Sequence, residues 1–211
     1  MIYPLFLQIK DKNCMVVGGG RVAERKVKAL IESGAEITVV SPKLTTYLQQ
    51  IKDKGIIKHM DREYRDGDVE GMFLVISATD NEDVNQRVSD QCFAKGILVN
   101  VVDDPPKCNF FVPAVLRRGD LTIAISTRGK SPMLAACIRG QLEKQYGSEY
   151  AELLKLLGDI RQELKQSVPD IKLRRRILER IVELGSLLLF DEKSYEDIKE
   201  LVRDAGSGSR D

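Results

Sequence analysis

Residues 14–34, CMVVGGGRVAERKVKALIESG, join an apolar run of strand length to three glycines and then to an amphipathic stretch of helix length. Gly18, Gly20 and Ala23 fit the pattern G-x-G-x-x-A, whose first glycine permits a tight turn and whose second lets the backbone approach a pyrophosphate. The alanine lets the helix pack closely on the strand, and the helix N-terminus then holds the phosphates. This stretch therefore predicts a dinucleotide site, and we favour a nicotinamide dinucleotide over a purely structural turn.

Apolar runs of strand length alternate with amphipathic stretches of helix length from Cys14 to Val102. Near-continuously apolar strands in such a series are typical of a parallel sheet that helices cover on both faces. We therefore predict an α/β fold for this part of the chain, a Rossmann-like doubly wound parallel sheet.

The alternation ends after Asp104. Residues 105–127 are typical of two strands joined by a turn at Gly119 with no helix between them, which predicts a β-hairpin. Ser131 and Pro132 form an N-cap and first-turn pair, and only helical patterns follow them. The domains that we predict are a dinucleotide-binding domain over 1–112, a hairpin and helix region over 113–147, a small helical domain over 148–205 and a disordered tail over 206–211.

Two apolar stripes mark the predicted helical domain. They recur at three- and four-residue spacing on either side of Pro169, and their members are Leu153, Leu157, Ile160 and Leu164, then Leu173, Ile177, Ile181 and Leu184. Such stripes predict the core of a small helical bundle.

Composition and charge exclude several classes of function. The 211 residues contain 33 Lys+Arg and 32 Asp+Glu, so no overall field draws the chain to nucleic acid or to an anionic membrane. The chain contains no apolar run of membrane-spanning length and no signal-peptide pattern, so we expect a cytoplasmic protein without a membrane partner. The four cysteines and the single histidine, His59, lack metal-ligand spacing, so we predict no metal site, buried cysteines and a structural histidine.

Further cofactor contacts are expected at the loops that follow the second and fourth strands. The acidic residue that usually binds the adenosine ribose is missing, and Ser41, Pro42 and Lys43 stand in its place. Ser41 suits a ribose hydroxyl and Lys43 suits a 2′-phosphate, so this segment leaves NAD and NADP open. After the fourth strand, Thr79 and Asp80 either face the nicotinamide half or, in the case of Asp80, cap the next helix.

Asp103 and Asp104 are paired carboxylates after the fifth strand, at the edge of the sheet where ligands bind. A carboxylate near the cofactor is suited to accept a proton when apolar residues desolvate it, and Phe110, Phe111 and Pro113 follow here. We predict Asp103 as this base, although an Asp-Asp-Pro-Pro segment is also typical of a simple turn.

A local excess of positive charge lies between residues 113 and 140. Five basic residues there face the single acid Asp120, which favours a polyanionic small molecule over a solvated surface. The aromatic residues that nucleic-acid stacking needs are absent from this segment, so we expect no nucleic-acid partner. The candidate substrate contacts are Arg117, Arg118, Ser126, Arg128, Lys130 and Ser131.

Four motifs occur in order along residues 1–147: YPLFLQIKDKNCMVVGGGRVAERK, ATDNEDVNQRVSD, NVVDDPP and TIAISTRGKSPMLA. Together they resemble the precorrin-2 dehydrogenase family of siroheme synthases. The resemblance implies oxidation of precorrin-2 to sirohydrochlorin with NAD, in a homodimer whose hairpin and helices form the dimerisation region. It also implies that Asp103 is the general base, and that the motif contacts NAD through Arg21, Val22, Pro42 and Lys43.

Precorrin-2 carries eight carboxylates, so the resemblance also implies a ligand for the basic cluster. It leaves two other points open. Some members of the family also insert iron, so either this chain or a separate chelatase performs that step. Asp104 adds a second acid beside Asp103, so either residue can face the macrocycle.

Two other functions compete with this one. A non-catalytic dinucleotide-sensing module needs the glycine motif but neither a base nor a basic cluster. A dehydrogenase for a small 2-oxo acid normally uses His or Lys beside the nicotinamide, and His59 is the only histidine in the chain.

Overall fold

The computed structural model describes residues 2–190, with side chains up to residue 183. Within that range the chain forms two compact units, one up to Val112 and one from Pro113 onward. The predicted tail over 206–211, the last part of the predicted helical domain and the side chain of Leu184 lie outside the described residues. None of the helices within 2–190 has the length and apolarity needed to span a bilayer.

The first unit contains a five-stranded parallel sheet with the order β3-β2-β1-β4-β5. At one edge of the sheet the strand ends are aligned, because Val17 pairs with Val40 and Ser77, and Ser77 pairs with Val101. The order reverses between β1 and β4, which is the topological switch point of a doubly wound sheet. The strands are β1 (Asn13–Val17), β2 (Glu36–Val40), β3 (Lys58–Met60), β4 (Leu74–Ser77) and β5 (Leu98–Val101).

Both faces of this sheet are buried. Along β1, Cys14 and Val16 belong to one hydrophobic cluster, whereas Met15 and Val17 belong to another. This explains why the strands are apolar at successive positions and not only at alternate ones. The helices are α1 (Arg21–Glu32), α2 (Thr46–Asp53) and α3 (Glu82–Lys95), with a 3-10 turn at Pro105–Lys107. The predicted doubly wound α/β fold is confirmed.

The second unit begins with the predicted hairpin. Strands β6 (Ala114–Arg118) and β7 (Leu121–Ile125) pair antiparallel around Gly119, whose φ of +55° a glycine adopts without strain. Helix α4 (Pro132–Gln145) begins as predicted, because the Ser131 hydroxyl accepts a hydrogen bond from the Leu134 N–H. Helices α5 (Glu149–Ser167) and α6 (Ile171–Phe190) follow.

The core between α5 and α6 matches the predicted stripes with one difference. Leu153, Ile160, Ile177 and Ile181 are buried as expected, and Leu156 is buried as well. The other described members of the stripes, Leu157, Leu164 and Leu173, pack at the margin of this core and are partly buried.

The cysteines only partly follow the prediction of burial. Cys14 and Cys92 are buried, and desolvation raises the pKa of their thiols to about 11 and about 12, respectively. Cys108 is half-buried. The prediction is wrong for Cys137, which is exposed on α4 because its position falls outside the buried face of that helix.

Two valines of α1 provide a test of the packing. Val27 is fully buried and Val22 is 38% exposed, so replacing each by alanine changes helix propensity equally but removes core contacts only at Val27. We expect Val27→Ala to lower the free energy of unfolding by about 2 kcal/mol more than Val22→Ala does. Urea denaturation followed by circular dichroism measures the difference, and equal losses would contradict the packing described here.

Candidate cofactor and active site

A cleft of about 800 Å³ opens at the carboxyl ends of the strands in the first unit. Ligands of doubly wound sheets bind at this edge, beside the point where the strand order reverses. The wall of the cleft contains all the residues that the sequence predicted for cofactor contact, together with the predicted base: Gly18, Gly20, Arg21, Val22, Ser41, Pro42, Lys43, Thr79, Asp80 and Asp103.

The three glycines between β1 and α1 are needed for different reasons. Gly18 has a φ of +112°, and a Cβ atom there would collide with the carbonyl oxygen of Ala78. A Cβ atom on Gly19 would collide with the carbonyl oxygen of Lys43. Gly20 has no neighbouring heavy atom within 4 Å of its Cβ position, so the space beside it is open cleft. The first two glycines let the flanking loops close on the turn, and the third leaves room for a pyrophosphate.

Helix α1 begins without a capping side chain. Its N-cap is Gly20, whereas the N-caps of α2, α3 and α4, which are Thr45, Asn81 and Ser131, each accept a hydrogen bond from a backbone N–H of the first turn. The first N–H groups of a helix have no partner within the helix, and they carry the positive end of its dipole. The start of α1 therefore suits a bound phosphate group.

The loop between β2 and α2 is held by its own polar groups. Ser41 is buried, and its hydroxyl donates to the carbonyl oxygen of Lys43 at 2.7 Å, so this side chain shapes the loop. His59 Nε2 donates to the carbonyl oxygen of Ser41 at 2.8 Å, in the structural role predicted for that histidine. The Thr45 hydroxyl donates to the Glu24 carboxylate of α1 at 2.7 Å, which fixes the far end of the loop.

The loop between β4 and α3 depends on Asn85, which the sequence analysis did not single out. Asn85 is buried, accepts a hydrogen bond from the Ser77 hydroxyl at 2.7 Å and donates to the carbonyl oxygen of Thr79 at 3.1 Å. The N-cap of α3 is Asn81. Asp80 therefore does not cap the helix, and its exposed side chain lines the cleft.

A carboxylate that the sequence analysis missed also lines the cleft. Glu63 follows β3 and is exposed. Its loop is fixed by Arg62, which donates to both oxygens of Asp68 at 2.7 and 2.8 Å and to the carbonyl oxygen of Glu63 at 3.0 Å. An acid is expected at the end of β2, where Ser41 stands, and Glu63 instead follows β3, the neighbour of β2 in the sheet. An acidic residue directly after the next strand of the chain is the sequence signal that points to Glu63.

Asp103 lies in the turn after β5 with a φ of +60°, a left-handed conformation that aspartate tolerates better than most residues. Its side chain is exposed and lines the cleft, and the expected desolvation by Phe110 is not observed because Phe110 packs against a core cluster. The Asp104 carboxylate lies 2.8 Å from the ammonium group of Lys107, which also bonds to Glu82. Asp104 is therefore held in an ion-pair network beside the turn, while Asp103 faces the cleft.

The turn that carries Asp103 is organised by the thiol of Cys108. The Val101 N–H donates to Sγ at 3.2 Å, and the thiol lies 3.1 Å from the carbonyl oxygen of Asp104, to which it donates. Burial raises the pKa of the Cys108 thiol, which keeps it protonated as a donor. The side chain of Asn100 donates to the carbonyl oxygen of Phe110 at 3.1 Å and so holds the returning segment.

In the second unit, the side chain of Arg118 has a structural role, because it donates hydrogen bonds to backbone carbonyl oxygens. Its Nε donates to the carbonyl oxygen of Tyr146 at 2.9 Å, and its guanidinium also reaches the carbonyl oxygens of Arg117 and Glu143. These bonds tie the hairpin to the C-terminal end of α4. Among the predicted substrate contacts, Arg118 is therefore a positioning residue within its own unit.

The segment between β7 and α4 is a tight turn with exposed cations. Arg128 has a φ of +57°, and its N–H donates to the Ser126 hydroxyl at 3.2 Å. The Ser131 N–H donates to the Thr127 hydroxyl at 3.2 Å, so the serine and threonine side chains shape the turn. The exposed basic side chains of this unit that belong to the predicted set are Arg117, Arg128 and Lys130.

Three family models match the chain. The model described as "Putative NAD(P)-binding" matches residues 5–114, which is more than half of the chain. The models described as "Sirohaem biosynthesis protein central" and "Sirohaem synthase dimerisation region" match residues 118–145 and 149–193.

The chain belongs to the NAD(P)-binding sirohaem synthase family. It is 40% identical to "Siroheme synthase" of Thioalkalivibrio sulfidiphilus over 99% of this chain and 43% of that protein. It is 34% identical to "Siroheme synthase" of Methylococcus capsulatus over 98% of this chain and 44% of that protein. The chain thus spans less than half the length of these relatives.

A solved structure named "SirC, precorrin-2 dehydrogenase" matches over its whole length. The TM-score is 0.81 at 27% identity, covering 98% of this chain and 100% of that one. The predicted family, the Rossmann-like fold and the nicotinamide dinucleotide cofactor are confirmed by these matches.

The glycines provide a test of the site within this sirohaem synthase family member. We expect Gly20→Val to weaken NAD binding at least about tenfold, because the side chain fills the space for the pyrophosphate, and to leave thermal stability nearly unchanged. Gly19→Ala, in contrast, collides with the protein itself and should lower the melting temperature. Titration calorimetry and thermal denaturation separate the two effects, and full NAD affinity in Gly20→Val would show that the pyrophosphate binds elsewhere.

Proposed function

We propose that this chain is an NAD-dependent precorrin-2 dehydrogenase, which oxidises precorrin-2 to sirohydrochlorin. The observation that carries the proposal is the position of Asp103, whose carboxylate lines the dinucleotide cleft. A proton acceptor beside a dinucleotide is what a dehydrogenase requires when its substrate also loses a proton. The full-length similarity to a protein named precorrin-2 dehydrogenase supports the choice of substrate.

The residues of the cleft fit NAD. The open space at Gly20 and the uncapped start of α1 are suited to the pyrophosphate. When bound, NAD supplies the acceptor for a hydride, which is two electrons and one of the two hydrogens that the substrate loses. The other hydrogen leaves as a proton. The residues that we propose to hold it are Gly18, Gly20, Arg21, Val22, Ser41, Pro42, Lys43, Thr79 and Asp80.

Asp103 accepts the proton that the substrate releases. Its carboxylate is exposed in the free protein, and a macrocycle that covers it would displace water and strengthen its interaction with the departing proton. Asp104 does not serve as the base in this proposal, because its carboxylate is neutralised by Lys107 at 2.8 Å.

The second unit binds the carboxylates of the substrate. The exposed basic side chains of Arg117, Arg128 and Lys130 are suited to a ligand that carries eight carboxylates. Arg118, Ser126 and Ser131 hold the hairpin and the turn that present them. Substrate specificity in this proposal therefore rests on cations that the hairpin and the turn between β7 and α4 carry.

We also propose that the chain acts as a homodimer. The match of residues 149–193 to a dimerisation region supports this assembly. So do the exposed apolar side chains of Met133 and Leu134 on α4, which are 84% and 52% exposed. We place the reaction in the cytoplasm, where reducing conditions keep the cysteines as free thiols.

A dinucleotide-sensing module without catalysis is the competing function. Such a module gains nothing from a carboxylate in the cleft or from an exposed set of cations in the second unit. The two functions differ in one measurable respect, which is turnover.

Asp103→Asn tests the role of the base. Asparagine tolerates the left-handed backbone and keeps the side-chain volume, so we expect NAD affinity to stay within about twofold while kcat falls by about 10²-fold or more. Asp104→Asn is the matched control and should retain most of the activity. Assays with precorrin-2 and NAD measure both variants, and the opposite ranking would move the base to Asp104.

We propose that Glu63 makes the protein bind NAD in preference to NADP. A carboxylate near the adenosine ribose repels a 2′-phosphate, so we expect NAD to bind at least about tenfold more tightly than NADP. Glu63→Gln should reduce this ratio severalfold, whereas Asp61→Asn in the same loop, which does not line the cleft, should leave it unchanged. Calorimetric titration of both cofactors decides the matter. A wild-type protein that binds NADP more tightly would show that Lys43 controls selectivity.

A further inference from the structure

Asn85 is a buried amide on the face of α3 that packs against the sheet. It is 7% exposed, and the same helix contributes Val88 and Cys92 to a hydrophobic core cluster. Burying an amide is unfavourable unless its polar atoms find hydrogen-bond partners. The bonds that Asn85 makes therefore indicate why an amide stands at this position.

These bonds lead to the end of β4 and to the loop that follows it. The side-chain oxygen of Asn85 accepts a hydrogen bond from the Ser77 hydroxyl at 2.7 Å and from the Thr79 hydroxyl at 3.0 Å. The side-chain nitrogen of Asn85 donates to the carbonyl oxygen of Thr79 at 3.1 Å. Ser77 is the last residue of β4 and is 1% exposed, so the amide links the buried end of a strand to a loop residue that lines the cleft.

The same loop closes directly on the glycine turn between β1 and α1. The carbonyl oxygen of Ala78 lies where a Cβ atom on Gly18 would project. Thr79 follows Ala78 and lines the cleft, whereas Asn85 does not line it. A change in how Asn85 holds Thr79 therefore moves the wall of the cleft without removing a group that faces the cofactor.

This wall lies on one side of the cleft only. The loop after β4 is on the opposite side of β1 from the loops after β2 and β3. In doubly wound sheets the pyrophosphate lies at the start of the helix after the first strand, and the adenosine ribose is bound at the end of the second strand. The nicotinamide half then lies on the side of β4 and β5, where Thr79, Asp80 and Asp103 line the cleft.

We propose that Asn85 is a positioning residue for the nicotinamide half of NAD, because its bonds to Thr79 fix the wall against which this half binds. The proposal rests on the NAD site of the proposed dehydrogenase, and it assigns no direct contact with the cofactor to Asn85. It explains why a serine and an asparagine are paired at a buried position between β4 and α3. Apolar side chains of similar size could pack there, but they would leave the carbonyl oxygen of Thr79 without this donor.

Three variants isolate this effect. Asn85→Ser removes the amide without adding a charge, and the shorter side chain does not reach the carbonyl oxygen of Thr79. Asn100→Ser is the matched control, because Asn100 is 8% exposed, donates to the carbonyl oxygen of Phe110 at the same distance of 3.1 Å and does not line the cleft. Ser77→Ala is a smaller change in the same network as Asn85, at another residue that does not line the cleft.

The first readout is calorimetric titration of the full chain with NAD and with ADP, which keeps the adenosine and both phosphates but lacks the nicotinamide half. We expect Asn85→Ser to weaken NAD binding about tenfold and to leave ADP binding within about twofold. Ser77→Ala should change the ratio of the two affinities in the same direction, by about threefold. Asn100→Ser should leave the ratio unchanged, although it also loses a buried hydrogen bond and therefore stability.

Three results of this titration would overturn the proposal. An equal loss of NAD and ADP binding in Asn85→Ser would show that the amide supports the pyrophosphate site or the fold as a whole. An unchanged ratio in Asn85→Ser, or the same change in Asn100→Ser, would remove the specific link to the nicotinamide half. If Asn85→Ser does not fold, the decision passes to Ser77→Ala, in which an unchanged ratio overturns the proposal.

The second readout is turnover of precorrin-2 with NAD, which separates this proposal from the proposed function. We expect Asn85→Ser to raise the KM for NAD about tenfold and to leave the KM for precorrin-2 within about twofold; the reverse pattern would overturn the role of Asn85. If wild-type protein shows no turnover but the ratio of NAD to ADP affinity changes as expected, the dehydrogenase fails while the role of Asn85 stands. If wild-type turnover is normal and the ratio does not change, only the role of Asn85 fails.

Discussion

Close backbone contact around Gly18 and Gly19 is the constraint on which the first unit depends. These glycines lie against the carbonyl oxygens of Ala78 and Lys43, which belong to the loops after β4 and β2. Because no Cβ atom intervenes, both loops close on the start of α1, and the aligned strand ends form the wall of one cleft. The buried strands on both sides of the sheet then fix the position of that wall.

The chemistry of the site depends on the different surroundings of two neighbouring carboxylates, Asp103 and Asp104. Lys107 engages Asp104 directly and links it to Glu82 at the start of α3, whereas the left-handed turn directs Asp103 to the cleft. The thiol of Cys108 holds this turn through bonds to the backbone. A single turn thus separates a structural acid from an acid available for proton transfer.

The sequence predicted those features that depend on local pattern. The glycine motif, the apolar strands and the Ser131-Pro132 helix start have short-range signals, and the structure shows each of them. Glu63 was missed, and Asn85 was quoted only within a motif without a role, because their roles come from strand order and burial. The prediction that Phe110 desolvates Asp103 is wrong for the same reason, because the ring of Phe110 packs against the core cluster instead.

The most direct test of the account is a single reaction with precorrin-2 and NAD as the only substrates, followed by the visible spectrum of the macrocycle and by NADH formation together. We predict one NADH for each sirohydrochlorin formed, at a rate that saturates with both substrates. A protein that binds NAD with ordinary affinity but changes neither spectrum would contradict it, and would identify the chain as a dinucleotide sensor.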